Sequence, residues 1–178
     1  MKDDKINPET WRTATQMVRG GTFRSDFEET SEAIFTTSGF VYGSAEQAEQ
    51  AFKGEVDRFI YSRYANPTVV MFEKRLALME GAAYGMAFAS GMAAVNLALM
   101  ACCKAGDHVV AAKALFGSCR YIVETLLPRM GVASTLVDGT DLDAWRAAIR
   151  PETVACFLES PTNPTLEVID IAAVAEMA

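Results

Sequence analysis

Val154-Ala155-Cys156-Phe157-Leu158-Glu159-Ser160-Pro161-Thr162-Asn163-Pro164 joins an unbroken apolar run to a polar turn stiffened by two prolines. Successive apolar residues without polar alternation describe a strand buried on both faces, as in a sheet covered by helices. Ligands of open α/β sheets bind in the loops at the carboxyl ends of such strands. The turn after Leu158 occupies that place, and Asn163 offers it amide donors and a carbonyl acceptor.

Outward from this strand, the apolar pattern predicts helix 67–80, strand 84–89, helix 91–103, strand 108–112, helix 118–129, strand 132–138, helix 141–149, strand 153–159 and a helix from Asp170. Short apolar strands alternating with amphipathic helices mean an α/β fold with a mostly parallel sheet covered on both faces. Val69, Phe72, Leu76 and Met79 recur at helical spacing and read as a core stripe. Pro128 is expected to kink or end its helix. No Gly or basic last turn closes the helix from Asp170, so the chain reads as the N-terminal part of a longer protein.

Residues 1–58 have a different character and read as an arm. Asn7-Pro8 is expected to open a short helix through Thr15, and Gly20-Gly21 to break it. Ser44-Ala45-Glu46-Gln47 forms a capping box before a helix that stops at Gly54, while 35–42 is extended or looped. The arm has too little periodic apolar pattern to fold alone and is expected to wrap a partner subunit. Residues 59–178 then form the first part of a large domain.

Two further stretches carry chemistry. In Tyr61-Ser62-Arg63-Tyr64-Ala65-Asn66-Pro67-Thr68, an extended segment would point Tyr61 and Arg63 to one face, just before a helix capped by Asn66 with Pro67 in its first turn. A guanidinium fork beside a phenol suits a phosphate. In Ala87-Phe88-Ala89-Ser90-Gly91-Met92, an apolar run meets a tight turn and a helix start. The Ser90 hydroxyl and the free N–H groups of Gly91 and Met92 would face an anion there. No Gly-x-Gly-x-x-Gly or Walker pattern occurs, which argues against a dinucleotide or nucleoside triphosphate.

In this order the three stretches resemble the Cys/Met-metabolism family of pyridoxal 5′-phosphate (PLP) enzymes, which have the aspartate-aminotransferase fold (type I). The resemblance runs from about Glu32 to Ala178. It implies that Tyr61 and Arg63 reach the cofactor phosphate of a neighbouring protomer, and that Tyr61 also contacts the substrate and has a proton-transfer role. It further implies that Ser90, Gly91 and Met92 hold the phosphate of their own subunit's PLP, and that Asn163 contacts the substrate carboxylate and the cofactor. Residues 59–178 would then be the first part of the PLP-binding domain. The family is usually a homotetramer, a dimer of dimers with shared active sites.

Leu115-Phe116-Gly117-Ser118-Cys119-Arg120 narrows the resemblance. Most relatives have a Tyr where Phe116 stands, stacked on the pyridine ring; Phe116 can stack but cannot donate a proton. This departure resembles the O-succinylhomoserine sulfhydrylase branch. It implies γ-replacement, in which succinate leaves Cγ and sulfide adds to give homocysteine, in methionine biosynthesis. Cystathionine γ-synthase, O-acetylhomoserine sulfhydrylase and a shortened non-catalytic subunit partner are the alternatives. The family's cofactor-anchoring lysine is expected beyond Ala178, since Lys2, Lys5, Lys53, Lys74, Lys104 and Lys113 all lack its Ser-x-Thr-Lys context.

Composition excludes little but is consistent. The chain has 178 residues, 51% hydrophobic and 22% charged, enough to bury a sizeable core. A net charge of −7 gives no support for nucleic-acid binding. Met1-Lys2-Asp3-Asp4-Lys5 lacks an apolar signal core and no apolar run is long enough to span a bilayer, so a cytoplasmic location without membrane contact is expected. The cysteines Cys102, Cys103, Cys119 and Cys156 lack Cys-x-x-Cys spacing and read as buried free thiols. With His108 alone, a His-based metal cluster or a Ser-His-Asp triad has too few parts, and no metal is expected.

Overall fold

The computed structural model describes residues 7–163 and 165–178. The charged start Met1–Lys5 and Pro164, on which two expectations rest, lie outside the described residues. The chain divides into two compact units, Met1–Ala87 and Phe88–Ala178.

In the first unit, Asn7 caps a 3₁₀ turn, Pro8–Thr10, by accepting from the Glu9 N–H at 3.0 Å. The expected helix through Thr15 is instead two pieces, because Trp11 and Arg12 are extended and α1 begins at Thr13 and runs to Arg19. Ser44 caps α2 (Ala45–Phe52), and Gln47 reaches back to the Gly43 N–H at 2.7 Å, so the capping box closes one residue early. Helix α3 (Pro67–Glu80) has the expected bounds, with Asn66 capping the Thr68 N–H and Gly81 ending it at φ +62°.

The face that α3 buries differs from the expected one. Met71 and Ala77 are buried where α1 packs, whereas Val69, Phe72, Leu76 and Met79 remain 43, 56, 41 and 36% exposed. The covered side is fixed by the turn at Gly20-Gly21. A Cβ at Gly20 would lie 2.8 Å from Leu78 Cδ2, and one at Gly21 2.8 Å from Lys74 Cβ. Arg75 holds the same arm by donating to the Gly20 carbonyl at 2.9 Å and pairing with Glu32.

The expected strand 84–89 is not a strand. Its Ala87 N–H goes to the Glu73 carboxylate at 2.8 Å, Gly85 packs under the Glu73 carbonyl, and Tyr84 and Met86 are exposed. An apolar run forms a strand only beside a strand to pair with, and none among the described residues lies alongside it.

The second unit is the α/β part. Helix α4 (Gly91–Cys102) leads to β1 (His108–Ala112), then α5 (Gly117–Tyr121), a π-helical turn Ile122–Leu126 and α6 (Leu127–Arg129). Next come β2 (Ala133–Val137), α7 (Leu142–Ala148), β3 (Thr153–Phe157) and α8 (Ile171–Ala175). Pro128 lies in the last turn of its helix, which ends at Arg129, one residue beyond it, as expected. It gives no N–H and its ring needs room at the Glu124 carbonyl, and the widened π turn accommodates it.

The strands are parallel in the order β2-β1-β3, with Ala112 opposite Val137 and Ala111 opposite Phe157. Central β1 is fully buried along its length, as a strand covered on both faces must be. One core cluster holds Val110, Ala112, Val123, Trp145 and Val174; the other holds Val109, Ile122, Leu127 and Val132. Trp145, with no exposure, satisfies its indole N–H on the Gly139 carbonyl at 3.0 Å.

Candidate active site

The sequence-expected residues fall into two groups, one in each unit. In the first unit, Tyr61 does not sit on an extended run with Arg63. The Tyr61 carbonyl accepts from the N–H of Tyr64 at 2.9 Å and of Ala65 at 3.2 Å, so the pair is presented by a turn. Only Tyr61 keeps a strand-like contact, a bridge to Gly39. The turn is tied down next door: Ser62 N–H donates to the Ser38 carbonyl at 2.9 Å, and the Asn66 amide donates to the Phe35 carbonyl at 3.0 Å.

The turn still brings the two side chains together, by stacking. The Arg63 guanidinium carbon lies 5.4 Å from the Tyr61 ring centroid and 5.5 Å from that of Tyr64. Arg63 is exposed and forms no ion pair among the described residues. Its fork of N–H donors is therefore oriented but unspent, which suits a phosphate or carboxylate.

In the second unit, Ser90 is the N-cap of α4, its Oγ accepting from the Ala93 N–H at 3.1 Å. Accepting uses a lone pair and leaves the hydroxyl proton free to donate outward. The N–H groups of Gly91 and Met92 find no acceptor among the described residues, and a Cβ at Gly91 would meet nothing within 4 Å. The Met92 side chain meanwhile packs against both core clusters, which anchors the turn. Two free N–H groups, a hydroxyl and the positive end of a helix of 12 residues form a cradle that fits a phosphate.

Phe116 and Asn163 follow β1 and β3, two adjacent strands, in the loops at their carboxyl ends. The chain leaves β1 toward β2, away from β3, which is how a topological switch point forms. Phe116 is the N-cap of α5 with its ring half exposed, and Asn163 is exposed in the loop. That loop is held by Ser160, which donates to the Ile169 carbonyl and accepts its N–H, and by Thr162, 1% exposed and bonded to Thr165.

Glu159 is the residue that sequence reasoning passed over. One carboxylate oxygen accepts from the Phe116 N–H at 2.8 Å and the other from the Asn163 N–H at 3.4 Å. The available signal was an acidic residue at the polar end of an otherwise apolar strand. Nearby, burial pushes the Cys119 thiol up and the Glu159 charge adds to the push, so this cysteine stays a protonated core residue. Cys102, expected to be buried, is exposed near the end of α4.

His108 lies at the opposite, amino end of the sheet, fully buried. Its Nδ1 bonds to Thr153 Oγ1 at 2.8 Å and its Nε2 to Thr135 Oγ1 at 2.9 Å, which stitches β1 to both neighbours. No three potential metal ligands cluster among the described residues, and no described helix is long and apolar enough to cross a membrane.

A helix-covered parallel sheet, with a helix N-terminus whose free N–H groups suit an anion, is the framework of a cofactor-binding α/β domain. The chain belongs to the Cys/Met metabolism PLP-dependent enzyme family, whose sequence profile matches residues 14–178. It is 52% identical, over all 178 residues, to the O-succinylhomoserine sulfhydrylase of Mycobacterium tuberculosis, and covers 44% of that protein. Over 93% of its length it is 40% identical to an L-methionine gamma-lyase of Porphyromonas gingivalis, of which it covers 41%. Among solved structures it is similar to cystathionine gamma-lyase from Lactobacillus plantarum complexed with L-serine, with a TM-score of 0.83 and 36% identity, covering 94% of this chain and 42% of that one. The chain thus spans less than half the length of the relatives it matches. The fold expected from the sequence, the type I PLP architecture, is the one these relatives share.

Proposed function

We propose that the protein carrying this chain catalyses PLP-dependent γ-replacement, converting O-succinylhomoserine and sulfide to homocysteine and succinate. The observation that carries the reading is the 52% identity over the whole chain to an O-succinylhomoserine sulfhydrylase. PLP, when bound, withdraws electrons from the substrate's Cα and Cβ so that the Cγ substituent can leave.

The chain's own residues do the rest of what is argued for it. Ser90, Gly91 and Met92 bind the cofactor phosphate at the α4 N-terminus, and Arg63, steadied by Tyr61, binds the same group in the neighbouring protomer of a dimer-of-dimers homotetramer. The exposed, unpaired state of Arg63 supports a role outside its own unit. Phe116 offers an apolar face against the pyridine ring and no hydroxyl, so it orients the ring without moving protons. Asn163 orients the substrate carboxylate. The Tyr61 phenol holds or passes a proton near the reacting carbons.

The test is product analysis with the PLP-loaded protein. O-succinylhomoserine with sulfide should give homocysteine and succinate in equal amounts, and methionine alone should release no methanethiol. Methanethiol release with no sulfide-dependent homocysteine would replace this reading by a γ-lyase one.

A further inference from the structure

Phe116 and Asn163 are 47 positions apart in the chain and stand on loops that no strand or helix joins, yet a stacking ring and a carboxylate-binding amide must hold a fixed spacing to serve one bound molecule. We propose that Glu159 is the positioning residue that sets this spacing, its two carboxylate oxygens bridging the Phe116 and Asn163 backbones across the carboxyl ends of β1 and β3. The proposal rests on the reading of this end of the sheet as the PLP site.

The geometry is that of a two-point strut. Oε1 takes the Phe116 N–H at 2.8 Å and Oε2 takes the Asn163 N–H at 3.4 Å, so each oxygen fixes one loop. The Phe116 N–H belongs to the N-cap of α5, where the helix dipole favours an anion over a neutral group. Among the described residues Glu159 forms no ion pair, so no basic side chain competes for its oxygens. Its own backbone is set by the end of β3 on one side and the Ser160–Ile169 bonds on the other. The strut therefore has a fixed base, and the two loops take their places from it.

Replacing Glu159 separates this role from simple stability. Glu159→Gln keeps the shape but offers one accepting oxygen and one donating NH₂, so it can hold only one of the two N–H groups. Glu159→Asp keeps the charge but is one methylene short of both. In the PLP-loaded protein, both variants should keep the thermal midpoint of the apo form while the visible circular dichroism of the cofactor, which reports ring orientation, weakens. Both should also lose about 10- to 100-fold in kcat/KM, the equivalent of one charge-assisted hydrogen bond. Unchanged dichroism and kcat/KM in Glu159→Gln would overturn the proposal, as would full recovery in Glu159→Asp, since charge alone would then suffice. A dichroism loss that merely follows a lower melting point would assign Glu159 to stability and overturn it as well. Absence of PLP binding by the unaltered protein would overturn the reading of the site, and this proposal with it.

Discussion

Arg63 shows how a sequence pattern can identify a residue and misjudge its geometry. The Tyr-x-Arg spacing pointed to two side chains sharing one face of an extended segment, but a turn at Tyr61–Ala65 brings them together by stacking instead. The pairing was legible because both residue types suit an anion; the turn was not, because it depends on hydrogen bonds to residues 35–39, far along the chain. Arg63→Ala should raise the PLP dissociation constant about 10- to 100-fold, the loss of a charge-assisted contact, as measured by equilibrium dialysis. Arg63→Lys should recover little, because a point charge cannot replace the planar fork. Unaltered PLP affinity in Arg63→Ala would remove Arg63 from the phosphate site. Glu159 is the opposite case: its place was visible in the sequence, but a partner 43 residues away was not.

At the scale of elements, caps and buried strands were the readable features. Asn66, Ser90 and Asp170 cap their helices as their residue types require, and β1 has the bounds its apolar run gave. What could not be read was pairing and facing. The 84–89 run has strand composition but its Ala87 N–H is taken by Glu73, and the stripe on α3 has core periodicity but faces away from α1. Ser90 caps α4 and is proposed to hold the cofactor phosphate, so Ser90→Ala should cost about 1 kcal/mol of stability through the lost cap, seen in urea unfolding. It should also weaken PLP binding by more than that loss of stability accounts for. If the affinity is unchanged, Ser90 is a cap only.

At the scale of the whole molecule, the single histidine has become a structural stitch. Burial lowers the His108 pKa, the nearby Arg150 lowers it further, and Glu152 opposes them in part. The unfolded chain therefore takes up the proton more readily than the folded one. Stability from this group is complete above the unfolded value of about 6.5 and declines as pH falls below it toward the lower folded value. Urea midpoints of the protein should drop across that window, and His108→Leu should flatten the dependence. The same variant should lose about 1–3 kcal/mol, since the Thr135 hydroxyl loses its His108 partner and Thr153 keeps only the Arg150 N–H. At this scale the shared-site proposal is also testable, because at a PLP concentration that loads the unaltered protein but not Arg63→Ala alone, mixing Arg63→Ala subunits with subunits lacking the cofactor lysine should restore activity in some sites if the sites form between protomers. Uniformly dead mixtures would place each site within one protomer.

Substrate choice tests the account most directly. With sulfide as the sulfur donor, kcat/KM for homocysteine formation should be higher for O-succinylhomoserine than for O-acetylhomoserine, and cysteine should be a poorer donor than sulfide. A preference for the acetyl ester, or for cysteine with cystathionine as product, would contradict the account and move the protein to a sister activity on the same scaffold.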